Sequence, residues 1–187
     1  MGALTRTERR ANQGPQEQAA AQGRQYLTFI VTGESFATVI SSIKEIIEYR
    51  KPTDVPMMPS HVRGVINLRG HVVPVIDLSV RFGRAPIDVA RRTCIVILEV
   101  EQDGETHDIG VLVDAVSAVL YIADGDIEPA PSFGAKLRSD FISGMGKVGE
   151  KFVIVLDISK VLSVEELSAL AAIADGGQGM AAAGVPA

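Results

Sequence analysis

The sequence predicts an all-β protein built as two similar small barrels, and three observations predict it. Short apolar strand patterns recur along the chain, divided by turn residues about every ten positions. A pattern over residues 64–82 returns over 144–162: Gly64 matches Gly144, Val73 Val153, Val75 Val155, Asp77 Asp157 and Ser79 Ser159. A second match lays 36–49 over 109–122, with similar apolar positions. Two copies in the same order point to paired barrels, whereas a solenoid needs at least three units.

Residues 1–24 are rich in Gln, Ala, Arg and Glu without an apolar period and read as a disordered leader. The Gly/Ala-rich stretch 175–187 reads as a disordered tail, which leaves 25–174 as the folded unit. QYLTFIV (25–31) alternates, with Leu27, Phe29 and Val31 on one face. SFATVI (35–40) follows the turn at Gly33 and completes a hairpin. SSIKEIIEY is expected to be a short helix: Ser42 can cap it, and Ile43, Ile46 and Ile47 fall at helical spacing. Lys44, Glu45 and Glu48 then face solvent. DVPMMP is a proline-broken loop.

GVINLRGHVVPVIDL (64–78) is a hairpin of two apolar runs with a polar tip, Asn67-Leu68-Arg69-Gly70, where Gly70 can supply a positive φ. Pro74 does not suit a central strand, so its strand is expected at a sheet edge or a bulge. An open apolar edge calls for a partner to cover it. TCIVILEVE (93–101), HDIGVLVD, AVSAVLYI, FISGMGKV and KFVIVLD supply the later strands, with the EPAPSFG loop among them. A last helix is expected from Ser163, where Ser-Val-Glu-Glu forms a capping box and Leu167 and Leu170 continue the apolar stripe.

Composition narrows the function. The 187 residues, 47% hydrophobic, suffice for one sizeable core or two small ones. A net charge of −5, few aromatics and no tryptophan argue against a nucleic-acid partner. Cys94 is the single cysteine, so no internal disulfide forms and a reducing cytoplasm fits. The start MGALTRTERRANQ is charged and lacks an apolar core, unlike a signal peptide. Arg6 occupies the Ser/Thr position of a myristoylation signal, which excludes that reading of Gly2. No run is long and apolar enough to cross a bilayer.

Several motifs carry a functional and a structural meaning. GMGKVG (144–149) has the letters of a dinucleotide fingerprint, but a strand follows it where the pyrophosphate needs a helix. His61, His71 and His107 show no ligand spacing, so no metal is expected. Cys94 lies in an apolar strand as an inert, buried thiol. Asp77 and Asp157 could pair as acid and base, but each stands where it caps a short helix. No catalytic, cofactor or metal residue is therefore expected. Glu45 and Arg69 remain open between solvated charges and a rigid arginine that reads a partner's carboxylate.

The run GVINLRGHVVPVIDL, together with SIKEIIEY, DIGVLVDAVSAVL, IEPAPSFG and FVIVLDISKVLSVEEL in this order, resembles the CheW family of bacterial chemotaxis coupling proteins. The resemblance covers residue 25 to about 170. It implies two intertwined SH3-like five-stranded barrels around a shared core, with short helices and a C-terminal helix. It also implies a non-enzymatic cytoplasmic adaptor, held at the membrane through its receptors alone. Such an adaptor couples chemoreceptors to the histidine kinase CheA, or serves a related kinase pathway such as surface motility. The implied partners are the CheA regulatory domain and the receptor's cytoplasmic hairpin tip, which docks between the barrels. By the same resemblance Ile43, Glu45, Asn67, Leu68, Arg69 and Gly70 contact the receptor, Glu45 pairs with Arg69, and Gly64 belongs to the kinase-facing sheet. Thr38, where an aliphatic residue is common, and a lengthened polar hairpin at 102–107 are departures from the family pattern.

Overall fold

The computed structural model describes residues 22–131, 139–163, 165–166 and 168–172. The expected tail, most of the expected leader, residues 132–138 (the end of EPAPSFG and the four residues after it) and Leu167 lie outside them. The strands are β1 (Gly23–Val31), β2 (Glu34–Val39), β3 (Ile43–Glu48), β4 (Val62–Leu68), β5 (His71–Asp77), β6 (Cys94–Gln102), β7 (Glu105–Val113), β8 (Ala115–Ala123), β9 (Ile127–Glu128), β10 (Ile142–Val148) and β11 (Lys151–Leu156). One sheet runs β8-β1-β2-β11-β10-β9 and the other β3-β6-β7-β5-β4.

Laid side by side, the five strands of the second sheet each match one of the first, whose sixth, the two-residue β9, has only an isolated bridge as its counterpart. The parallel pair Val75↔Gly110 of one has its counterpart in Val155↔Ala37 of the other. A bulge before Gly64 matches one before Gly144. A further bulge between Ile43 and Glu45 matches that facing the Thr28–Phe29 step. The bridge Thr53↔Val65 stands where Glu128 pairs with Met145. The sequence repeat is thus a structural one. The opening hairpin of each repeat, β1–β2 or β6–β7, inserts into the sheet of the other, so the two barrels are intertwined. The fold is all-β, as the strand patterns and the repeat predict.

A continuous apolar core joins the barrels. It contains Phe29, Val31 and Phe36 of one sheet and Val75, Leu98, Val111 and Leu112 of the other. Phe29, Phe36, Phe82 and Phe141 pack in a line with ring centroids 6.3, 5.2 and 6.3 Å apart. A small second core, around Tyr26, Ala37, Ile122, Val153 and Val155, fills the first sheet's own barrel.

Two expectations need correction. SSIKEIIEY is not a helix: after a 3-10 turn at Ile40–Ser42 the chain becomes β3. Its exposure alternates residue by residue, and its β-branched isoleucines pair against β6, a packing that outweighs the weak helical spacing. Pro74 does not lie at an edge, because β5 is flanked by β4 and β7. Val65, opposite Pro74, spends its backbone N–H and carbonyl on Thr53, so Pro74 turns its nitrogen away from β4. The ladder to β7 begins one residue later, at Val75↔Gly110, and the missing donor is not called upon.

Of the caps expected at Asp77, Asp157 and Ser163, the first and last form; the Asp157 carboxylate instead accepts the Ser159 hydroxyl and no backbone N–H of the 3-10 turn Ile158–Lys160. Asp77, fully buried, accepts the N–H groups of Ser79 at 2.9 Å and Val80 at 3.3 Å, starting helix α1 (Leu78–Arg81). At the C-terminal helix the Ser163 hydroxyl accepts the Glu166 N–H, while Glu166 accepts the Ser163 N–H at 2.7 Å. Leu170 of that helix is buried in the shared core. GMGKVG runs along β10 into the turn before β11; Cβ atoms on Gly144 would press on Ile127 and Glu128 of the neighbouring β9.

Candidate protein-docking surface

The hairpin tip between β4 and β5 is a two-residue turn, with Leu68 paired to His71 across it. Arg69 and Gly70 both have positive φ, 53° and 87°, which marks the type I′ geometry favoured by strand twist. The Thr32-Gly33 and Asp103-Gly104 turns repeat this X-Gly pattern. Asn67 holds the turn by accepting the Gly70 N–H on its side-chain oxygen at 2.9 Å. Arg69 is thereby fixed at its backbone while 80% of its side chain stays exposed.

From the tip, Arg69 reaches across to Glu45 on β3, N–O 3.2 Å. β3 and β4 are the outer strands of the second sheet, so this ion pair closes the barrel across its seam. Arg50 adds a bond to the Asn67 carbonyl at 3.4 Å. The pair belongs to one barrel alone: the residues in matching register on the other are Ala118 and Gly149. Next to it on β3, Lys44 binds Asp108 at 2.8 Å, which holds the ammonium pKa up despite the opposing effect of desolvation.

The structure therefore brings Glu45, Arg69, Asn67 and Gly70 together at one barrel end. Ile43 and Leu68 are placed differently. Leu68 is buried, and Ile43 is half-buried against the core, so both support this surface from below. Gly64 lies elsewhere on β4, at the covered part of the edge. Its φ is 129°, and a Cβ there would overlap the Thr53 carbonyl oxygen. Sequence reading missed Arg50 and Thr53. Neither stands at a periodic position, and the signal for both is the outer strand that they cover.

A second feature is a cleft of about 380 Å³ between the sheets. Tyr26 and Thr38 line it from one side and Glu99, Val100 and Glu101 of β6 from the other, with Asp157 at its end. Thr38 is buried there, so the family departure lies in the wall of the cleft. A wider cleft of about 670 Å³ lies beside the lengthened β6–β7 hairpin, lined by His71, His107 and Leu170. Cys94 is half-buried, its thiol donating to the Arg92 carbonyl. No described helix is long and apolar enough to cross a membrane.

This arrangement offers apolar strands, a rigid charged tip and open clefts, features of a surface that other proteins occupy. Comparison with known proteins agrees. The model of the CheW-like domain family matches residues 25–166. The chemotaxis protein CheW of Klebsiella aerogenes is 35% identical over 146 residues, 78% of this chain and 86% of the relative. That of Rhizobium meliloti is 32% identical, covering 79% of this chain and 92% of the relative. Among solved structures, the scaffolding protein TtCheW from Thermoanaerobacter tengcongensis superimposes with a TM-score of 0.69 at 29% identity, over 78% of this chain and 96% of that one.

Proposed function

Because this chain belongs to the CheW-like family and acts as a chemotaxis adaptor, we propose that it couples the cytoplasmic hairpin tips of chemoreceptors to the regulatory domain of a CheA-type kinase, without chemistry of its own. The observation that carries this reading is the Glu45–Arg69 pair. It is built on one of two otherwise matching barrels, and it holds an exposed arginine on a rigid turn. A charge so placed sets the register and on-rate of a partner more than its affinity. The inter-sheet cleft, with apolar walls and acidic rim, suits the apolar stripe and basic flank of a helical hairpin. Each contact of this kind is weak by itself, and an array of receptor, adaptor and kinase supplies the remaining stability through effective concentration.

The test is co-sedimentation with receptor-bearing membranes, with and without kinase. The chain is expected to pellet with both, and its absence from the pellet sinks the adaptor reading. Arg69→Ala is expected to reduce pelleting severalfold while its urea stability shifts by less than about 1 kcal/mol, the scale of an exposed ion pair. Unchanged pelleting would remove Arg69 from the interface.

A further inference from the structure

Residues 84–93, which lead into β6, fold over Asp77, where the buried Ile87 donates its N–H to the carboxylate at 3.0 Å. The segment ends in a turn that is tied twice. Thr93, itself buried, donates its N–H to the Ala90 carbonyl at 3.1 Å, and its hydroxyl accepts the Ala90 N–H at 2.8 Å. Arg91 and Arg92 occupy the two central positions of this turn. The Thr93 carbonyl accepts the Tyr49 N–H at 3.3 Å, which carries the β3–β6 ladder beyond Glu48↔Cys94. Arg50 and Lys51 therefore leave β3 beside Arg92 and Arg91, on neighbouring strand ends, which in a sheet lie about 5 Å apart.

Four cations thus gather at one end of the second barrel, all exposed. Lys51, Arg91 and Arg92 have no carboxylate or hydrogen-bond acceptor among the described residues, and Arg50 has the Asn67 carbonyl at 3.4 Å. Glu48, Asp54 and Asp88, the carboxylates nearest along the chain, pair with none of them. By contrast Lys44, Arg63, Arg69, Arg81, Arg84 and Lys160 each meet a carboxylate. The fold does not account for the cluster. Like charges on neighbouring strands repel, and a turn accepts many polar residues at its centre. The first barrel, where β8 meets the start of β1, carries Gly23, Arg24, Ala123, Asp124 and Asp126, so a barrel of the same strand order forms without it. Fixed cations with nothing to neutralise them fit an anionic partner. Nucleic acid engages a longer track, about six to ten phosphates, and a chain of net charge −5 repels such a polyanion. A membrane surface calls for a broad apolar face, and residues 84–93 offer Val89 alone as a large exposed hydrophobic.

We propose that this basic turn, Arg91 and Arg92 with Arg50 and Lys51 beside them, is a docking site for an acidic segment of a partner protein, a short run of Asp and Glu side chains. The planar guanidinium groups take carboxylates in bidentate fashion, and Val89 takes an apolar residue next to the run. Because the turn is tied at both ends, little backbone freedom is lost when the segment binds. The inference does not rest on the receptor and kinase reading.

Titration of the full chain with an end-blocked octaglutamate peptide, followed by backbone amide NMR without receptors or kinase, tests this. Amides of Arg50, Lys51, Arg91 and Arg92 are expected to shift, and the apparent Kd to rise at least about tenfold between about 0.05 and 0.5 M salt. Octaglutamine is expected to shift none of them. Arg91→Glu combined with Arg92→Glu is expected to abolish the response. Lys147→Glu combined with Lys151→Glu, the same charge change at exposed positions of the other barrel, is expected to keep it. Native amide dispersion confirms that both variants are folded. No shift at the four amides, a response that survives Arg91→Glu with Arg92→Glu, or equal loss in the two charge-reversed variants would each overturn the proposal. Tighter binding of pyrophosphate or of phosphatidylglycerol vesicles than of octaglutamate would overturn it too, by making the ligand a phosphate.

Discussion

Gly64 shows how one residue can carry a fold and an interface together. Its φ of 129° is open to glycine, and any Cβ runs into the carbonyl of Thr53, the residue that caps the outer strand β4. Gly64→Ala is therefore expected to cost about 2–3 kcal/mol in urea unfolding, from backbone strain at such a site. Gly149→Ala, at φ 61° with open space around it, is expected to cost about 1 kcal/mol or less. Equal costs would mean that the Thr53 contact does not matter. A kinase-binding defect in a Gly64 variant then reports first on a disturbed edge. His61 carries the pH dependence of this barrel. It is buried 3.1 Å from Glu166, and desolvation lowers its pKa below 6.5 despite that carboxylate. In the range between the lowered folded value and 6.5 the unfolded chain binds the proton that the folded chain refuses. Stability therefore falls as pH drops from 7 through this window. The urea midpoint is expected to drop between pH 7 and 5.5, and to drop less in His61→Leu. Glu166 opposes no part of this there: although burial acts to raise it, the Ser163 N–H and Arg81 hold its pKa below 4.5. An identical pH profile in the variant would acquit His61.

At the level of elements, the matched aspartates permit an internal control. Asp77 accepts three backbone N–H groups, two that start α1 and one from Ile87, and is fully buried. Asp157 accepts the Ser159 hydroxyl at the start of a 3-10 turn. Asp77→Ala is expected to destabilise by about 2–3 kcal/mol or more, since buried donors lose a charged acceptor. Asp157→Ala is expected to cost about 1 kcal/mol or less. Comparable losses would mean that capping alone, without the covering segment, sets the energy. Asp77 and the Ser163 capping box were legible because a cap is a local event, written within four residues, whereas the expected cap at Asp157 does not form and its carboxylate takes the Ser159 hydroxyl instead. β3 was not legible, because Ile43, Ile46 and Ile47 satisfy helical spacing as well as a strand. What decides is β6, some fifty residues later in the chain. The repeat held a hint: 36–49 lies over 109–122, whose second half, AVSAVLYI, reads as a strand. Pro74 failed for a related reason. Its tolerance depends on which way Val65 points its backbone, and Thr53 sets that across a loop. Likewise the Glu45–Arg69 pair followed from resemblance, whereas its role in closing the barrel needed the strand order.

For the whole molecule, the exchange of hairpins makes the two repeats depend on each other. The first repeat, β1 to β5, contains no complete sheet: β1–β2 lack β11 and β8, and β3–β5 lack β6 and β7 between them. Arg81 strengthens the seam, donating to the Val161 carbonyl in the second repeat and lying 5.0 Å over the Phe141 ring. The shared core likewise takes residues from both repeats, so neither half buries its apolar face alone. An adaptor benefits, because partners pulling on either barrel load a single cooperative unit. A break between residues 92 and 93, just before β6, separates the repeats without cutting a strand. Fragments 1–92 and 93–187 are each expected to show disordered far-UV circular dichroism and collapsed amide dispersion. Mixed in equal amounts, they are expected to recover the dispersion of the intact chain with a concentration-dependent midpoint. A native-like spectrum from either fragment alone would show two independent barrels, and cooperative coupling between the docking surfaces would then lose its physical basis.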